Sequence, residues 1–306
     1  MKTNISADQA GVRLDKYLTA QLGKTRSKIQ KMIKAGVVLI NGRAVSAHYL
    51  IKENDTFEIK ETSGENKKAE INSALPDFEI IDETENYLVI NKPAGLLMHG
   101  TPELRGDNLA DLLAARWPCL TKVGDDPFRP GIVHRIDKEV SGLVLVAKNQ
   151  NFFEFAKEQF QKRAVRKSYT ALAHGRIRAD RGAIDFPIER AAAGHKMAAK
   201  PIGSDGRRAE SEFSVIGRWL HFTLVKVAIK TGRTHQIRAH LAAFGHPLVG
   251  DNLYGTRAAK EMNKKLGTAR VYLVANELGF TDLGGEKKQY RLALPEGFNS
   301  LFNKLK

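Results

Sequence analysis

The feature that most constrains the fold of this chain is a loop that runs directly into a short, wholly apolar segment. The loop spans residues 131–142, Gly-Ile-Val-His-Arg-Ile-Asp-Lys-Glu-Val-Ser-Gly, and the apolar segment is Leu143–Val146. Consecutive Leu and Val residues are typical of a strand buried on both faces of a sheet. We therefore expect Asp137 to lie at the edge of a rigid sheet, where a reactive group can be held in place.

Asp137 lies between two cations, Arg135 and Lys138. An ion pair with Arg135 at the surface would contribute little to stability. The same cations would, however, keep the carboxylate ionised and available as a nucleophile or a base. Because we assign no second acid to this site, Asp137 is expected to work alone.

The composition indicates a polyanionic partner. The 306 residues include 49 Lys and Arg against 34 Asp and Glu, a formal net charge of +15 at pH 7. This excess favours binding to nucleic acid or to an anionic membrane surface. No apolar stretch of about 18 residues predicts a transmembrane helix, and the start lacks the apolar segment of a signal peptide. With a single cysteine, Cys119, the chain suits the reducing cytoplasm, and Cys119 is expected in the core.

Residues 1–60 predict a small α/β unit. Apolar spacing indicates one helix over 14–22 and a second around 29–33. Thr25 or Ser27 could cap the second helix, and Gly36 could end it. A strand over 37–40 is followed by Asn41-Gly42, a strong signal for a type I′ hairpin turn. Further strands are expected at 49–51 and 56–59.

The two predicted helices are strongly basic. Residues 13–43 carry Lys and Arg at eight positions against one acid, Asp15. A solvated helix face is the alternative interpretation, but the nearly uniform sign favours binding to a phosphate backbone. The unit resembles the S4 RNA-binding domain over residues 11–60, in its Arg13-Leu14-Asp15 opening and its hairpin. The residues expected to contact RNA are Arg13, Lys16, Arg26, Lys28, Lys31 and Lys34.

The composition and the pattern of apolar residues change along the chain. Residues 61–76 are polar, charged and aperiodic, which predicts a linker. Over 77–306, strand-like runs outnumber helical patterns and do not strictly alternate with them. We therefore expect an α+β fold in which a large mixed, mainly antiparallel sheet is flanked by helices and loops. The predicted strands are 78–81, 87–90, 143–146, 169–173, 213–216 and 222–229, and the predicted helices are 108–116 and 153–163.

Two further segments of this domain contain candidate functional residues near strands. The strand at 87–90 is followed by a Lys92-Pro93 turn, which alone indicates no more than a structural turn. Tyr169 follows the basic pair Arg166-Lys167 at the start of a strand. It could stack on a base while the cations hold phosphates, although core packing is the commoner role of a strand tyrosine.

A segment at 230–241 predicts a helix that Thr234 caps and Gly245 ends. Arg238 adjoins its apolar face, and a guanidinium held there would pair well with a buried carboxylate. The expected core face consists of Ile237, Leu241 and Phe244.

Metal and nucleotide-cofactor sites are not indicated. His235 and His240 are five residues apart with no glutamate between them, which does not fit a helical zinc site. The sequence also lacks a GxGxxG fingerprint, a P-loop and a cysteine cluster. We therefore expect no metal and no small-molecule cofactor.

Taken together, these segments resemble the RluA-type family of pseudouridine synthases over about residues 77–300. The family's His-Arg-Leu-Asp motif stands here as His134-Arg135-Ile136-Asp137, followed by Ser141-Gly142. Residues 231–240 and 245–255 are similar to a second block, and Asn91-Lys92-Pro93 is similar to a third. With the S4-like unit in front, the chain resembles the large-subunit ribosomal RNA subgroup, especially its RluD-like members.

The resemblance implies isomerisation of uridine to pseudouridine in RNA, with the target nucleotide flipped out of its helix. It implies that Asp137 is the essential carboxylate, which attacks the sugar or removes a ribose proton. Arg135 would fill the gap left by the base, Tyr169 would stack on the uracil, and Arg238 would pair with Asp137. The reaction needs no cofactor, and a monomer is expected. Lys92 and Arg233 are implied to bind phosphates or support loops.

Two other classes of protein compete with this interpretation. A non-catalytic RNA-binding or ribosome-assembly factor would share the charge and the S4-like unit, but would not need Asp137, Tyr169 and Arg238 in one pocket. A hydrolase would usually need paired carboxylates or a metal. One departure from the family bears on the subgroup: Val274 stands where many members carry His.

Overall fold

The computed structural model describes residues 2–4, 9–23, 26–34, 36–59, 77–100, 108–191, 194 and 196–305. The chain divides into two compact units, Met1–Ala69 and Glu70–Lys306. The predicted linker, 61–76, falls outside the described residues, so its limits remain a prediction. No helix in these ranges is long and apolar enough to cross a membrane.

The N-terminal unit packs two helices against a four-stranded antiparallel sheet. α1 (Leu14–Leu22) and α2 (Arg26–Lys34) lie where the apolar spacing predicts them. Thr25 and the side chain of Ser27, the candidate caps of α2, are outside the described residues. The strands are β1 (Lys2–Asn4), β2 (Val38–Ile40), β3 (Arg43–Ala44) and β4 (Thr56–Ile59), in the order β1-β4-β2-β3.

The predicted hairpin turn is confirmed, because Asn41 and Gly42 both have positive φ, 50° and 75°. The predicted strand at 49–51 is wrong: within it, Leu50 makes only an isolated bridge to Arg13. Turns at residues 47–48 and 53–54 flank the segment and leave it too short for a strand. The carboxylate of Asp55 fixes the second turn, because it accepts hydrogen bonds from the Tyr49 hydroxyl and from the Lys52 backbone N–H.

Asp15 is the centre of a buried polar cluster in this unit. Its fully buried carboxylate accepts hydrogen bonds from the side chains of Arg13, Arg26 and Gln30, at 2.7–3.1 Å. Burial alone would raise the pKa of Asp15, but these hydrogen bonds outweigh it and hold the pKa well below its ordinary value. Arg26, one of the cations expected to bind RNA, therefore also ties α2 to α1, while Arg13 binds Asp15 within the start of α1.

We predict that Asp15→Asn lowers the free energy of unfolding of the N-terminal unit by about 2 kcal/mol. This loss is smaller than that expected for a fully buried ion pair, because both arginines can rehydrate. Hydrogen exchange of the α1 and α2 amides should accelerate on the order of 30-fold. Because the folded pKa is lowered, the stabilisation is present above pH 3.8 and is lost as the pH falls below it. Glu53→Gln, at an exposed position, is the control, and equal protection in the two variants would contradict the prediction.

The second unit is built on one large mixed sheet flanked by helices, as predicted. Its strands are β5 (Glu79–Glu83), β6 (Tyr87–Lys92), β7 (Ser141–Ala147), β8 (Arg166–His174), β9 (Arg181–Ile184), β10 (Ile188–Arg190), β11 (Met197–Ala199), β12 (Ser211–Arg218), β13 (Phe222–Ile229), β14 (Leu273–Thr281) and β15 (Lys287–Arg291). The sheet order is β5-β6-β7-β14-β8-β13-β12-β9, with β15 added to β14, while β10 and β11 form a separate hairpin. Only β7 and β14 pair in parallel among the described strands.

Helices cover both faces of this sheet. They are α3 (Leu109–Arg116), a 3₁₀ helix (Pro118–Lys122), α4 (Gln150–Gln161), α5 (Gln236–Ala243), α6 (Arg257–Leu266) and α7 (Glu296–Lys304). Every residue of β7 is buried, and its side chains alternate between two apolar clusters. Val144 and Val146 pack on one side, and Leu143 and Leu145 pack on the other, beside α4. The expectation that this strand is buried on both faces is thus confirmed.

Two expectations about burial are wrong. Cys119 is exposed, because it lies on the 3₁₀ helix whose neighbouring residue Leu120 turns into the core instead. Phe244 is 38% exposed. It follows the last residue of α5 and packs only laterally, on Phe213 and His246.

Candidate active site

The loop that carries Asp137 is held from both sides. Ile136 and Val140 are buried next to it, and the Val140 N–H donates to the Asp137 carbonyl at 3.2 Å. The Lys138 carbonyl accepts from the Gly95 N–H at 2.7 Å. These contacts leave the Asp137 side chain 14% exposed, facing a pocket at the edge of the sheet.

Arg238 is the cation of this site, and it lies on α5 directly after Gln236 and Ile237, which line the pocket. Its side chain is 3% exposed. Its Nε and Nη2 donate to the two oxygens of Asp251 at 2.7 and 3.0 Å, a bidentate pair. Its Nη1 lies 3.2 Å from Glu139 and 3.7 Å from Asp137. Burial would lower the pKa of Arg238, but the three carboxylates raise it.

The expectation that Asp137 has no second acid beside it is wrong. Asp251 and Glu139 share its arginine, and neither was assigned to the site from the sequence. Asp251 is fully buried and is further fixed by N–H groups of the turn that follows it, at Leu253 and Tyr254. The division of roles follows from burial: Asp251 fixes the guanidinium, and Asp137 faces the pocket.

Tyr169 and Arg135 line the same pocket as Asp137. Tyr169 is 7% exposed, on β8 between β13 and β14, so it is both packed and open to the pocket. Burial raises its pKa, as does the nearby charge of Asp137, and the phenol is neutral at pH 7. Arg135 is exposed at the pocket rim. The pocket therefore brings together the aromatic, cationic and acidic residues that the sequence singles out.

Arg233 also lines the pocket, but its Nε donates to the Arg208 carbonyl at 3.1 Å. The predicted cap of α5 by Thr234 is wrong. His235 precedes the helix with a φ of 54°, and the Gln236 side chain orders the loop instead. Its Oε1 accepts from the Thr231 hydroxyl and the Arg233 N–H, at 2.8 and 3.0 Å.

Lys92, expected to bind phosphates or support a loop, is fully buried. Its Nζ donates to the backbone carbonyls of Pro93, Leu96 and Lys138 at 2.8, 2.8 and 3.2 Å. Of the two roles expected for Lys92, these contacts favour loop support over phosphate binding, because its donors are used by backbone carbonyls. The lysine instead connects the turn after β6 to the Asp137 loop.

The sequence does not reveal the environment of Lys167, which lines the pocket, or of His134, in the Asp137 loop. Lys167 lines the pocket 5.3 Å from the Phe160 ring centroid, and burial lowers its pKa to about 8. Burial and the charge of Lys167 lower the pKa of His134 to about 3, so its ring is neutral. His134 Nε2 accepts from the Leu145 N–H at 2.9 Å, which supports β7.

The predicted RNA-binding cations of the N-terminal unit differ in how exposed their side chains are. Lys16 and Lys34 are exposed, as is Arg26 apart from its pair with Asp15. Arg13 is partly buried and contacts His48 as well as Asp15. The side chains of Lys28 and Lys31 are outside the described residues.

No cluster of His, Cys, Asp and Glu that could hold a metal occurs in the described part of the chain. His240, one of the two histidines considered above, is buried and contacts the Ser211 hydroxyl and the Phe186 carbonyl. Val274, where many family members carry His, is buried in β14 opposite Thr170.

Comparison with known proteins agrees with the fold. Residues 86–243 match the family model for RNA pseudouridylate synthases, and residues 12–57 match that for the S4 domain. The chain belongs to the RNA pseudouridylate synthase family and is an isomerase that acts on RNA.

Similar proteins extend this likeness over nearly the whole chain. The RNA pseudouridine synthase YlyB of Bacillus subtilis is 37% identical, over 98% of this chain and 96% of that protein. Ribosomal large subunit pseudouridine synthase C of Escherichia coli is 30% identical, over 99% and 95% respectively. The solved structure of human RNA Pseudouridylate Synthase Domain Containing 4 aligns with a TM-score of 0.59 at 26% identity, covering 74% of this chain and 92% of that one.

We predict that Lys92→Met lowers the free energy of unfolding by about 3 kcal/mol at pH 6, since three carbonyls lose their donor. Burial lowers the pKa of Lys92 to about 7 from 10.5. Between these pH values the unfolded chain therefore binds more protons than the folded chain, so the free energy of unfolding of the wild type rises with pH. Lys92→Met should lack this rise. Urea titrations at several pH values measure both effects. Lys122→Met, at an exposed position, should leave stability unchanged, and equal stability of the two variants would contradict the prediction.

Proposed function

We propose that this pseudouridine synthase isomerises specific uridines in large-subunit ribosomal RNA. The name of the Escherichia coli relative supports the substrate class. The S4 domain and the net charge of +15 support a structured, highly charged RNA. The observation that carries the chemistry is the Asp137 carboxylate, 3.7 Å from Arg238 in a pocket shared with Tyr169. A purely RNA-binding factor would have no use for this arrangement.

The reaction requires a pocket of this kind. The uracil must detach from the ribose at N1 and reattach through C5, so the base has to turn within the site while the sugar stays fixed. A base stacked in a helix is out of reach, so the nucleotide must be flipped out. Asp137 either attacks the ribose carbon or removes a ribose proton to give a glycal-like intermediate. Both routes need a carboxylate that is ionised and fixed against the sugar.

The neighbours of Asp137 receive separate roles in this proposal. Tyr169 stacks on the uracil, since its ring lies in the pocket wall and its hydroxyl stays protonated. Arg135, exposed at the rim, fills the gap that the flipped base leaves in the RNA. Arg238 orients Asp137, while Arg233 supports the pocket loop and can reach a phosphate.

We predict that Asp137→Asn abolishes isomerisation without a large loss of RNA affinity, because it removes the reactive charge and keeps the shape. Total RNA from cells lacking the protein should lack pseudouridine at specific large-subunit positions. Expression of the wild type should restore them, and expression of Asp137→Asn should not. Mapping of pseudouridine at nucleotide resolution makes the measurement.

Glu139→Gln is the matched control, since Glu139 also contacts Arg238 but its side chain is 46% exposed. It should restore the modification. Restoration by Asp137→Asn would contradict the role of Asp137. Loss of pseudouridine only from transfer RNA would contradict the substrate class and leave the role of Asp137 intact.

A further inference from the structure

A group of arginines lies at the far end of β8 and β13 from the pocket. Arg176, Arg178 and Arg218 line a shared surface concavity, which we call the arginine cradle. Tyr169, in the pocket, and His174, beside the cradle, are five residues apart on β8. At about 3.3 Å per residue the two sites are separated by roughly 17 Å or more. The catalytic chemistry gives these arginines no role.

The backbone of the cradle is fixed by hydrogen bonds. The Ile177 N–H donates to the Thr223 hydroxyl at 3.0 Å, and that hydroxyl donates to the Gly175 carbonyl at 2.8 Å. The Gly175 N–H donates to the His221 carbonyl at 2.7 Å. Ile177 itself is buried, so the residues on either side of it project outward from a rigid support.

Arg218 completes this support. Its Nε donates to the Ile177 carbonyl at 2.8 Å, and its Nη2 donates to the Arg178 carbonyl at 3.2 Å and to Asp180 at 2.6 Å. Asp180 therefore offsets the charge of Arg218. Arg176 and Arg178 are exposed, and neither has an acidic partner in the described part of the chain. The cradle thus presents two uncompensated guanidinium groups on an ordered backbone.

We propose that the arginine cradle binds the phosphate backbone of the substrate RNA at a distance from the flipped uridine. Guanidinium groups match phosphate oxygens in geometry, and each neutralised phosphate releases counterions. Because the loop is already ordered, little conformational entropy is lost on binding. Arg176 and Arg178 contact phosphates, and Arg218 is a positioning residue. The inference rests on RNA as the substrate of the family, and it does not depend on which RNA is modified.

Affinity for a hairpin RNA of unrelated sequence, with a stem of about 16 base pairs, tests the cradle. The double variant Arg176→Ala/Arg178→Ala should bind on the order of tenfold more weakly at 0.15 M salt. The slope of log affinity against log salt should shrink by about 1 to 2. Arg176→Lys/Arg178→Lys, which keeps both charges, should recover most of the affinity.

Lys264→Ala/Lys265→Ala on α6 removes the same charge from another exposed surface and is the matched control. If both alanine variants bind the hairpin equally, the cradle is not an RNA site, and an acidic protein becomes the better partner. The single-turnover rate of Arg176→Ala/Arg178→Ala, measured with saturating substrate RNA, should equal that of the wild type. A large fall in this rate would contradict a binding role remote from the pocket. Because the probe sequence is unrelated, failure of the large-subunit proposal would leave this result unaffected.

Discussion

The pairing of the buried Arg238 with Asp251 is the interaction on which the active site depends. A buried guanidinium needs compensation, and Asp251 supplies it with both oxygens, at 2.7 and 3.0 Å. The remaining nitrogen then has a fixed direction toward Glu139 and Asp137. Because Asp251 and Arg238 are distant in sequence from the Asp137 loop, the ion pairs fix the position of α5 relative to that loop.

The sheet makes this geometry rigid. β7 and β14 approach closely where the Asp137 loop enters the sheet. A Cβ at Gly142, with a φ of +128°, would lie 2.2 Å from the Ala275 carbonyl oxygen, so only glycine fits. A Cβ at Gly250 would lie 1.8 Å from the Arg270 carbonyl oxygen, which fixes the turn that presents Asp251. Lys92 also holds the Asp137 loop, because its Nζ donates to the Lys138 carbonyl. The Asp137 carboxylate therefore lies on backbone that has little freedom to move.

Local pattern predicted the elements of the fold well, because amphipathic helices and the apolar run of β7 are properties of neighbouring residues. Motifs likewise predict Asp137, Tyr169 and Arg238 as site residues, and the structure brings the three close together. Contacts between segments distant in sequence were not predictable. The sequence does not reveal that Asp251 takes the main bond of Arg238, or that Lys92 donates to the Asp137 loop. In the sequence Asp15 is the single acid among the cations of residues 13–43, and only the structure shows that its carboxylate binds Arg13 and Arg26.

If Arg238 orients Asp137, exchanging it for lysine should slow the chemistry without weakening RNA binding. Lysine keeps the charge but cannot bind Asp251 with two nitrogens while reaching the other carboxylates. The decisive measurement is the single-turnover rate of pseudouridine formation by Arg238→Lys on the mapped substrate, in protein shown to be folded. A displaced carboxylate predicts a rate lower by about 100-fold with little change in the RNA dissociation constant. A rate equal to that of the wild type would contradict the role given to Arg238.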